Sequence, residues 1–206
     1  MTSIILAGGR SSRFGWSKVL ETIGSKSLVQ WVIDRLTPLS KEIIIVTARE
    51  DCFTSFAMTH PASPKTRMTT DIYPGKGPLG GIYTGLVTSS CSHAIVVGCD
   101  MPFLSIALLS YMAQMSPGFD ITVPRTQKGV EPLCAVYSKN CLAPINSLLE
   151  RNELRISKLF DVTKVKYIEE DEINKFDPEH LSFFNVNTQA ELARARKLAT
   201  EKGWLT

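Results

Sequence analysis

The sequence lacks most of the features by which function classes announce themselves. Its five cysteines stand at 52, 91, 99, 134 and 141, an odd number, widely spaced and with no C-x-x-C pair. That argues against a disulfide framework or a zinc site and for free thiols in a reducing compartment. Three histidines, at 60, 93 and 180, are scattered, and no Ser-His-Asp or Cys-His arrangement can be read from them. Charge is nearly balanced, 23 basic against 20 acidic residues for a net +3, so nothing electrostatic calls for a nucleic-acid partner. No apolar run approaches the about 20 residues that span a bilayer, and no basic segment precedes the first apolar stretch. The expectation is a cytoplasmic protein without a membrane partner. No repeat, low-complexity tract or linker divides the chain, so residues 1–206 read as a single domain. With 44% apolar residues it can build a sizeable core.

Two common nucleotide motifs are also missing. The stretch LAGGRSSRFGWSK, Leu6 to Lys18, is rich in glycine and positive charge. It is no Walker A loop, because Trp16 and Ser17 separate its last glycine from its lysine. It is no G-x-G-x-x-G either, because Gly8 and Gly9 are adjacent.

What is present alternates between strand and helix patterns. Thr2–Ala7 (TSIILA), Glu42–Ala48 (EIIIVTA) and His93–Asp100 (HAIVVGCD) are short, continuous apolar runs rich in β-branched residues, as expected of strands buried on both faces. Ser27–Leu39 carries apolar residues at helical spacing and ends at Pro38. Residues 52–70 lack periodicity and suggest a loop with one short strand. A helix is expected from near Pro78, another from a Ser105 cap to about Met115, and a third over Cys141–Arg151. Asp120–Pro124 and Pro132–Tyr137 read as strands joined by a turn at Gly129, and Val165–Ile168 and Phe183–Val186 as late strands. Thr188 opens the last helix with a capping-box pattern, Thr-Gln-Ala-Glu. The alternation predicts an α/β domain with a mostly parallel central sheet.

Four constellations stand out, each with a bland alternative. Gly8 and Gly9 directly follow the first strand, where bare backbone N–H groups suit an anion, and Arg13 and Lys18 can add charge. The alternative is a tight turn with a solvated basic loop. Asp100 ends an apolar strand at the same sheet edge, a natural place for a Mg²⁺ ligand whose octahedron is completed by phosphate and water. The alternative is a turn or cap aspartate. Asp71 precedes the glycine cluster 75–81 and could accept from a base or ribose, or simply shape a turn. Asn185 and Asn187 alternate with apolar residues in FFNVNT and would share one strand face, or Asn187 would only help cap the last helix.

Together these pieces resemble the molybdenum cofactor guanylyltransferases, within the wider class of sugar-nucleotidyltransferase-like folds. LAGG followed by SSRFGWSK resembles the LAGG-x-x-x-R-[MF]-G-x-x-K signature. DIYPGKGPLGGIYTGL, VVGCDMPFLS, EPLCAVYS and FFNVNT follow in the family's order and extend the likeness over most of the chain. The resemblance implies a Rossmann-like three-layer sandwich of the nucleotide-diphospho-sugar transferase type. It also implies transfer of GMP from Mg²⁺·GTP to the phosphate of molybdopterin or Mo-molybdopterin, with release of pyrophosphate. Leu6, Ala7, Gly8 and Gly9 would line the nucleotide, Lys18 and Arg13 its phosphates, and Asp71 the guanosine. Asp100 would hold both Mg²⁺ and GTP, and Asn185 and Asn187 would face the acceptor or metal. On this reading Lys18, Arg13 and Asp100 carry catalysis. The enzyme would also make transient contact with molybdenum-cofactor pathway proteins or acceptor apoenzymes. Related CTP-dependent enzymes tend to carry LAAG, so guanine is favoured. Two departures are visible: TARED offers Arg49 but no asparagine after the second strand, and Gly81 and Tyr83 stand where smaller aliphatic residues are usual. The alternatives are a molybdopterin cytidylyltransferase, a sugar-1-phosphate nucleotidyltransferase, or a nucleotide-binding protein without turnover.

Overall fold

The buried runs of the sequence line up side by side in a computed structural model, which describes residues 1–7, 21–48 and 66–205. Strand β1 (Thr2–Leu6) lies at the centre. It pairs in parallel with β4 (Glu42–Thr47) on one side and β6 (His93–Gly98) on the other. Beyond β4 lies β5 (Thr66–Thr70), also parallel. Beyond β6 lies β9 (Cys134–Ser138), the antiparallel strand, then β7 (Ile121–Thr126) and β10 (Val165–Glu169). The order among described strands is therefore β10-β7-β9-β6-β1-β4-β5, with the short β8 (Gly129–Val130) paired to β7. A separate two-stranded ribbon joins β2 (Thr22–Ile23) to β3 (Lys26–Ser27).

Alternate side chains of each central strand go to opposite faces, and both faces are covered. On one, Ile5, Ile43, Ile45, Ile95 and Val97 meet α1 (Leu28–Leu36) and α3 (Ile106–Met115). On the other, Ile4, Ile44, Val96 and Val123 meet α2 (Gly77–Thr88) and α4 (Leu142–Glu150), with Leu159 of the short α5 (Ser157–Phe160). That arrangement is the expected mixed, mostly parallel sheet flanked by helices. The single-turn α6 (Glu170–Ile173) follows β10. The last helix, α7 (Gln189–Glu201), packs Leu192, Ala195 and Ala199 with Ile23, Trp31 and Phe103 in a third cluster. The two caps predicted from sequence are made, Ser105 Oγ accepting from Leu108 N and Thr188 and Glu191 forming the reciprocal capping box; Ser27 Oγ also caps α1 by accepting from Gln30 N. No helix among the described residues is long and apolar enough to cross a membrane.

One expected strand is absent. Residues 183–186 form no ladder: a 3-10 turn covers Leu181–Phe183 and extended chain follows. The buried Asp177 carboxylate takes the N–H groups of Leu181 (3.0 Å) and Ser182 (2.8 Å), which locks the segment into a turn.

At the amino edge of the sheet, far from the strands' carboxyl ends, Glu42 gathers four donors. Burial works against its charged form, but hydrogen bonds from the Ser90 hydroxyl and N–H, the Thr2 hydroxyl and Arg67 bring its carboxyl down to about 2. A depressed folded-state value means stability that is present above the ordinary 4.5 and is lost as pH falls toward 2. Glu42→Gln is therefore expected to be less stable than the unaltered protein at neutral pH. The gap should close across that window in urea-unfolding midpoints measured from pH 6 to 2. A constant gap would remove Glu42 as its source.

Candidate active site

Parallel strands of this kind present their ligands at the carboxyl edge, and those predicted residues that the structure describes lie there. Leu6 and Ala7 end β1, and Ala7 N–H continues the pairing by donating to Val46 O at 2.9 Å. Gly8, Gly9, Arg13, Lys18 and Arg49 lie outside the described residues. Beside Leu6 opens a shallow cleft lined by Leu6, Val46, Thr47 and Ala48 from β1 and β4, Asp71 after β5, and Gly77, Pro78 and Gly81 from the start of α2.

Backbone requirements explain the glycine cluster that forms this wall. Gly77 has φ +67°, a left-handed conformation that side chains resist. A Cβ at Gly81 would stand 3.0 Å from Leu6 Cδ2, so the bare residue lets α2 close onto the end of β1. The departure at Tyr83 is absorbed by an edge-on contact with Tyr73, whose hydroxyl donates to Asn146 Oδ1 at 2.8 Å. The amino end of α2 thus meets the cleft, where its unpaired N–H groups and dipole favour anions.

Asp71 serves the turn and lines the cleft at once. Its Oδ1 accepts from Tyr73 N at 3.0 Å and from the Thr84 hydroxyl at 2.8 Å, and its own N–H donates to Thr47 O at 2.7 Å. The turn alternative weighed from sequence is therefore real. Oδ2 accepts no hydrogen bond among the described residues and borders Gly80, where a Cβ would lie 3.3 Å away.

Asp100 sits in the turn after β6. Cys99 N–H donates to Leu6 O at 3.2 Å, which ties that turn to the end of β1. The carboxylate lies against Gly98: a Cβ there would be 2.6 Å from Oδ1. Two further strands lie between β6 and β5, so Asp100 and Asp71 are separated by three strand spacings, about 14 Å. That distance suits two ends of one elongated ligand and not a shared metal.

The asparagines reach the same place by a different route from the one expected. Val186 N–H donates to Asp100 O at 2.9 Å, which brings the 185–187 segment to Asp100 without a strand. Asn185 Nδ2 donates to Phe183 O at 3.3 Å, and Asn187 N–H donates to Glu191 at 2.7 Å, so Asn187 does take part in the start of α7. Sequence reading missed Glu131, which precedes β9 at the same edge. Burial pushes its carboxyl up, and Lys128 only partly offsets this. The signal available was an acid at the head of an apolar strand, in EPLCAVYS. The buried cysteines are inert: burial raises both thiols, Cys141 to about 12. Among the described residues no cluster of three or more His, Cys, Asp or Glu could hold a metal alone.

A mostly parallel sheet with a cleft at its carboxyl edge, a helix terminus facing that cleft and a strand-end carboxylate define a nucleotide-handling α/β protein of the nucleotidyltransferase class. The MobA-like NTP transferase domain model matches residues 3–165, and the chain belongs to that family. A relative from Pelotomaculum thermopropionicum named probable molybdenum cofactor guanylyltransferase is 34% identical over 99% of this chain and 98% of its own. The molybdenum cofactor guanylyltransferase of Desulfosudis oleivorans is 31% identical over 95% of this chain and 94% of its own. Among solved structures, molybdopterin-guanine dinucleotide biosynthesis protein A from Archaeoglobus fulgidus superposes with a TM-score of 0.83 at 25% identity, covering 98% of this chain and all of that one.

Proposed function

We propose that this protein transfers GMP from GTP to the terminal phosphate of molybdopterin, forming the guanine dinucleotide and pyrophosphate, and that residues 1–206 act as one nucleotidyltransferase domain. The observation that carries the reading is the cleft over β1, β4 and β5 with Asp100 about three strands from Asp71. On this reading the nucleoside would lie at the Asp71 end and its phosphates toward Asp100. The names of the relatives agree with that use.

The acceptor is a phosphate monoester, whose oxygen is a competent nucleophile near neutral pH, so no protein nucleophile is needed. The task is to hold two anions in line and to neutralise the charge that builds on the α-phosphate and the leaving pyrophosphate. The amino end of α2 and the backbone after Leu6 and Ala7 receive phosphate oxygens. Lys18 and Arg13 add positive charge, with Gly8 and Gly9 letting the backbone come close. Asp71 orients the guanosine through its outward oxygen while Tyr73 and Thr84 hold its other oxygen still. Asn185 and Asn187 place the acceptor beside Asp100.

A hard carboxylate in the turn at a strand end, with no group of three or more His, Cys, Asp or Glu around it among the described residues, fits Mg²⁺. That ion takes one or two carboxylates and fills its remaining positions with phosphate and water. Asp100 would hold it, and when bound it supplies charge neutralisation to the triphosphate. Backbone bonds from Cys99 N–H to Leu6 O and from Val186 N–H to Asp100 O hold the turn that carries Asp100.

Guanine selectivity is expected, because a site built to hydrogen-bond one base edge rejects bases that leave its polar groups unpaired. In a thermal-shift comparison of the four nucleoside triphosphates with Mg²⁺, GTP at one hundred times its Kd should raise Tm by about 5–10 °C, and CTP, ATP and UTP at the same concentration by far less. Equal stabilisation by CTP would instead support a cytidylyltransferase. Pyrophosphate release from GTP only when molybdopterin is present would separate an enzyme from a nucleotide-binding protein without turnover.

A further inference from the structure

The strand pairing changes step beside the site. Thr122 faces Val136 across β7 and β9, a register that would set Pro124 opposite Cys134. Yet Arg125, the next residue of β7, faces Val130 of β8. Residues 131–133 are therefore extra, a bulge of three inserted where β8 gives way to β9. The bulge is held on every side: Glu131 N–H donates to Pro124 O at 3.0 Å, Cys134 N–H to Glu131 O at 3.0 Å, Gly98 N–H to Leu133 O at 3.1 Å, and the buried Tyr137 hydroxyl to Pro132 O at 2.8 Å. Bulges of this kind re-aim a side chain beside an active site. The side chain at its head is the Glu131 carboxylate. It is partly buried, and among the described residues no hydrogen bond or ion pair reaches it; Lys128 acts only at a distance. The acids beside it at the end of β10 are engaged: Glu169 is paired with Arg125 and Glu170 accepts from Gln127 N–H.

A partly desolvated carboxylate held on a fixed backbone and without a donor among the described residues is arranged for donors that arrive with a ligand. The donor nucleotide occupies the β1–β4–β5 half of the edge, and Glu131 stands across Asp100 from it, on the β9–β7 half. We propose that Glu131 accepts the adjacent N3–H and 2-amino donors of the acceptor's pterin ring and so fixes the acceptor for attack from the side opposite the nucleotide. This rests on the reading of the acceptor as molybdopterin. The pairing is two parallel N–H···O bonds to a single carboxylate, the same geometry by which a carboxylate takes an arginine fork.

Guanine presents the same pair of donors, so the test must separate the two rings. Glu131→Gln keeps the volume but replaces one acceptor oxygen with a donor. It is expected to raise the KM for molybdopterin about 10- to 100-fold, the range for losing a hydrogen bond to a charged group, with the KM for GTP unchanged. An equilibrium titration with pterin and with lumazine, which has a 2-oxo group in place of the 2-amino group, reads the contact without turnover. The unaltered protein should prefer pterin at least 10-fold, and Glu131→Gln should lose that preference. A shift in the GTP KM alone would assign Glu131 to guanine and overturn the proposal. So would an unaltered protein that binds pterin and lumazine equally or not at all, or a Glu131→Gln protein that keeps the full preference. If Glu131→Gln does not fold, Glu131→Asp, which retracts the carboxylate, must weaken the pterin preference or the proposal fails. A protein that prefers pterin yet releases no pyrophosphate from GTP and molybdopterin would count against the transfer reaction and leave the Glu131 contact standing.

Discussion

Asp100→Asn is expected to lower the rate of guanylyl transfer by ~10²–10³-fold or more while the protein keeps its fold. The change preserves size and removes the charge that suits a hard cation; a neutral amide oxygen is a far weaker ligand for Mg²⁺. The α-phosphate and pyrophosphate then carry uncompensated charge in the transition state. GTP should still bind, because the cleft at Leu6, Thr47 and Asp71 and the amino end of α2 are untouched. Turnover measured against Mg²⁺ concentration, with circular dichroism as the folding control, decides the matter. A variant with unaltered rate and unaltered Mg²⁺ dependence would reduce Asp100 to a turn residue.

Gly98→Ala should lose activity for a different reason. Gly98 ends β6, and its φ is outside the left-handed region, so the backbone itself accepts alanine. The new Cβ, however, would lie 2.6 Å from Asp100 Oδ1 and 3.4 Å from Met101 Sδ. The cheapest relief is for the Asp100 carboxylate to swing away. Stability should then fall by only on the order of 1 kcal/mol, whereas displacing a catalytic group by an ångström can cost ~10²-fold in rate. Raised Mg²⁺ should recover part of the Gly98→Ala rate and little of the Asp100→Asn rate, because only the former retains the charge. A Gly98→Ala enzyme with full activity would show that the position of this carboxylate is immaterial.

The parts of the fold that were legible from sequence are those where local chemistry and burial agree. β1, β4 and β6 are continuous apolar runs because both sheet faces are covered, and Ser105 and Thr188 cap because each hydroxyl stands directly before a helical stretch whose first N–H groups need an acceptor. Phe183–Val186 was misread because its alternation imitates a half-buried strand. The alternation is genuine, with Val186 buried between two more exposed asparagines, but Asp177 takes the preceding donors and a single bond to Asp100 replaces the ladder. Of the candidate site, Asp100 was singled out by its place at the end of an apolar strand, Asp71 by the glycine cluster that follows it, and Leu6 and Ala7 by the resemblance; all four lie at one edge of the sheet. Glu131 escaped because its meaning depends on a register slip between two strands, and a slip is a relation between segments that no single segment encodes. The place of β9, antiparallel between β6 and β7, was hidden for the same reason.

The bond from Val186 to the carbonyl of Asp100 has a consequence for the order in which the molecule can become active. The donor half of the edge, from Leu6 to Asp100, belongs to the first half of the chain, yet the turn that holds Asp100 is fastened by a residue eighty-six positions later. On the ribosome, the glycine-walled cleft leaves the exit tunnel long before its fastener does. On the proposed function, transfer would therefore wait until the arm carrying Asn185 and Asn187 has been synthesised and has folded back.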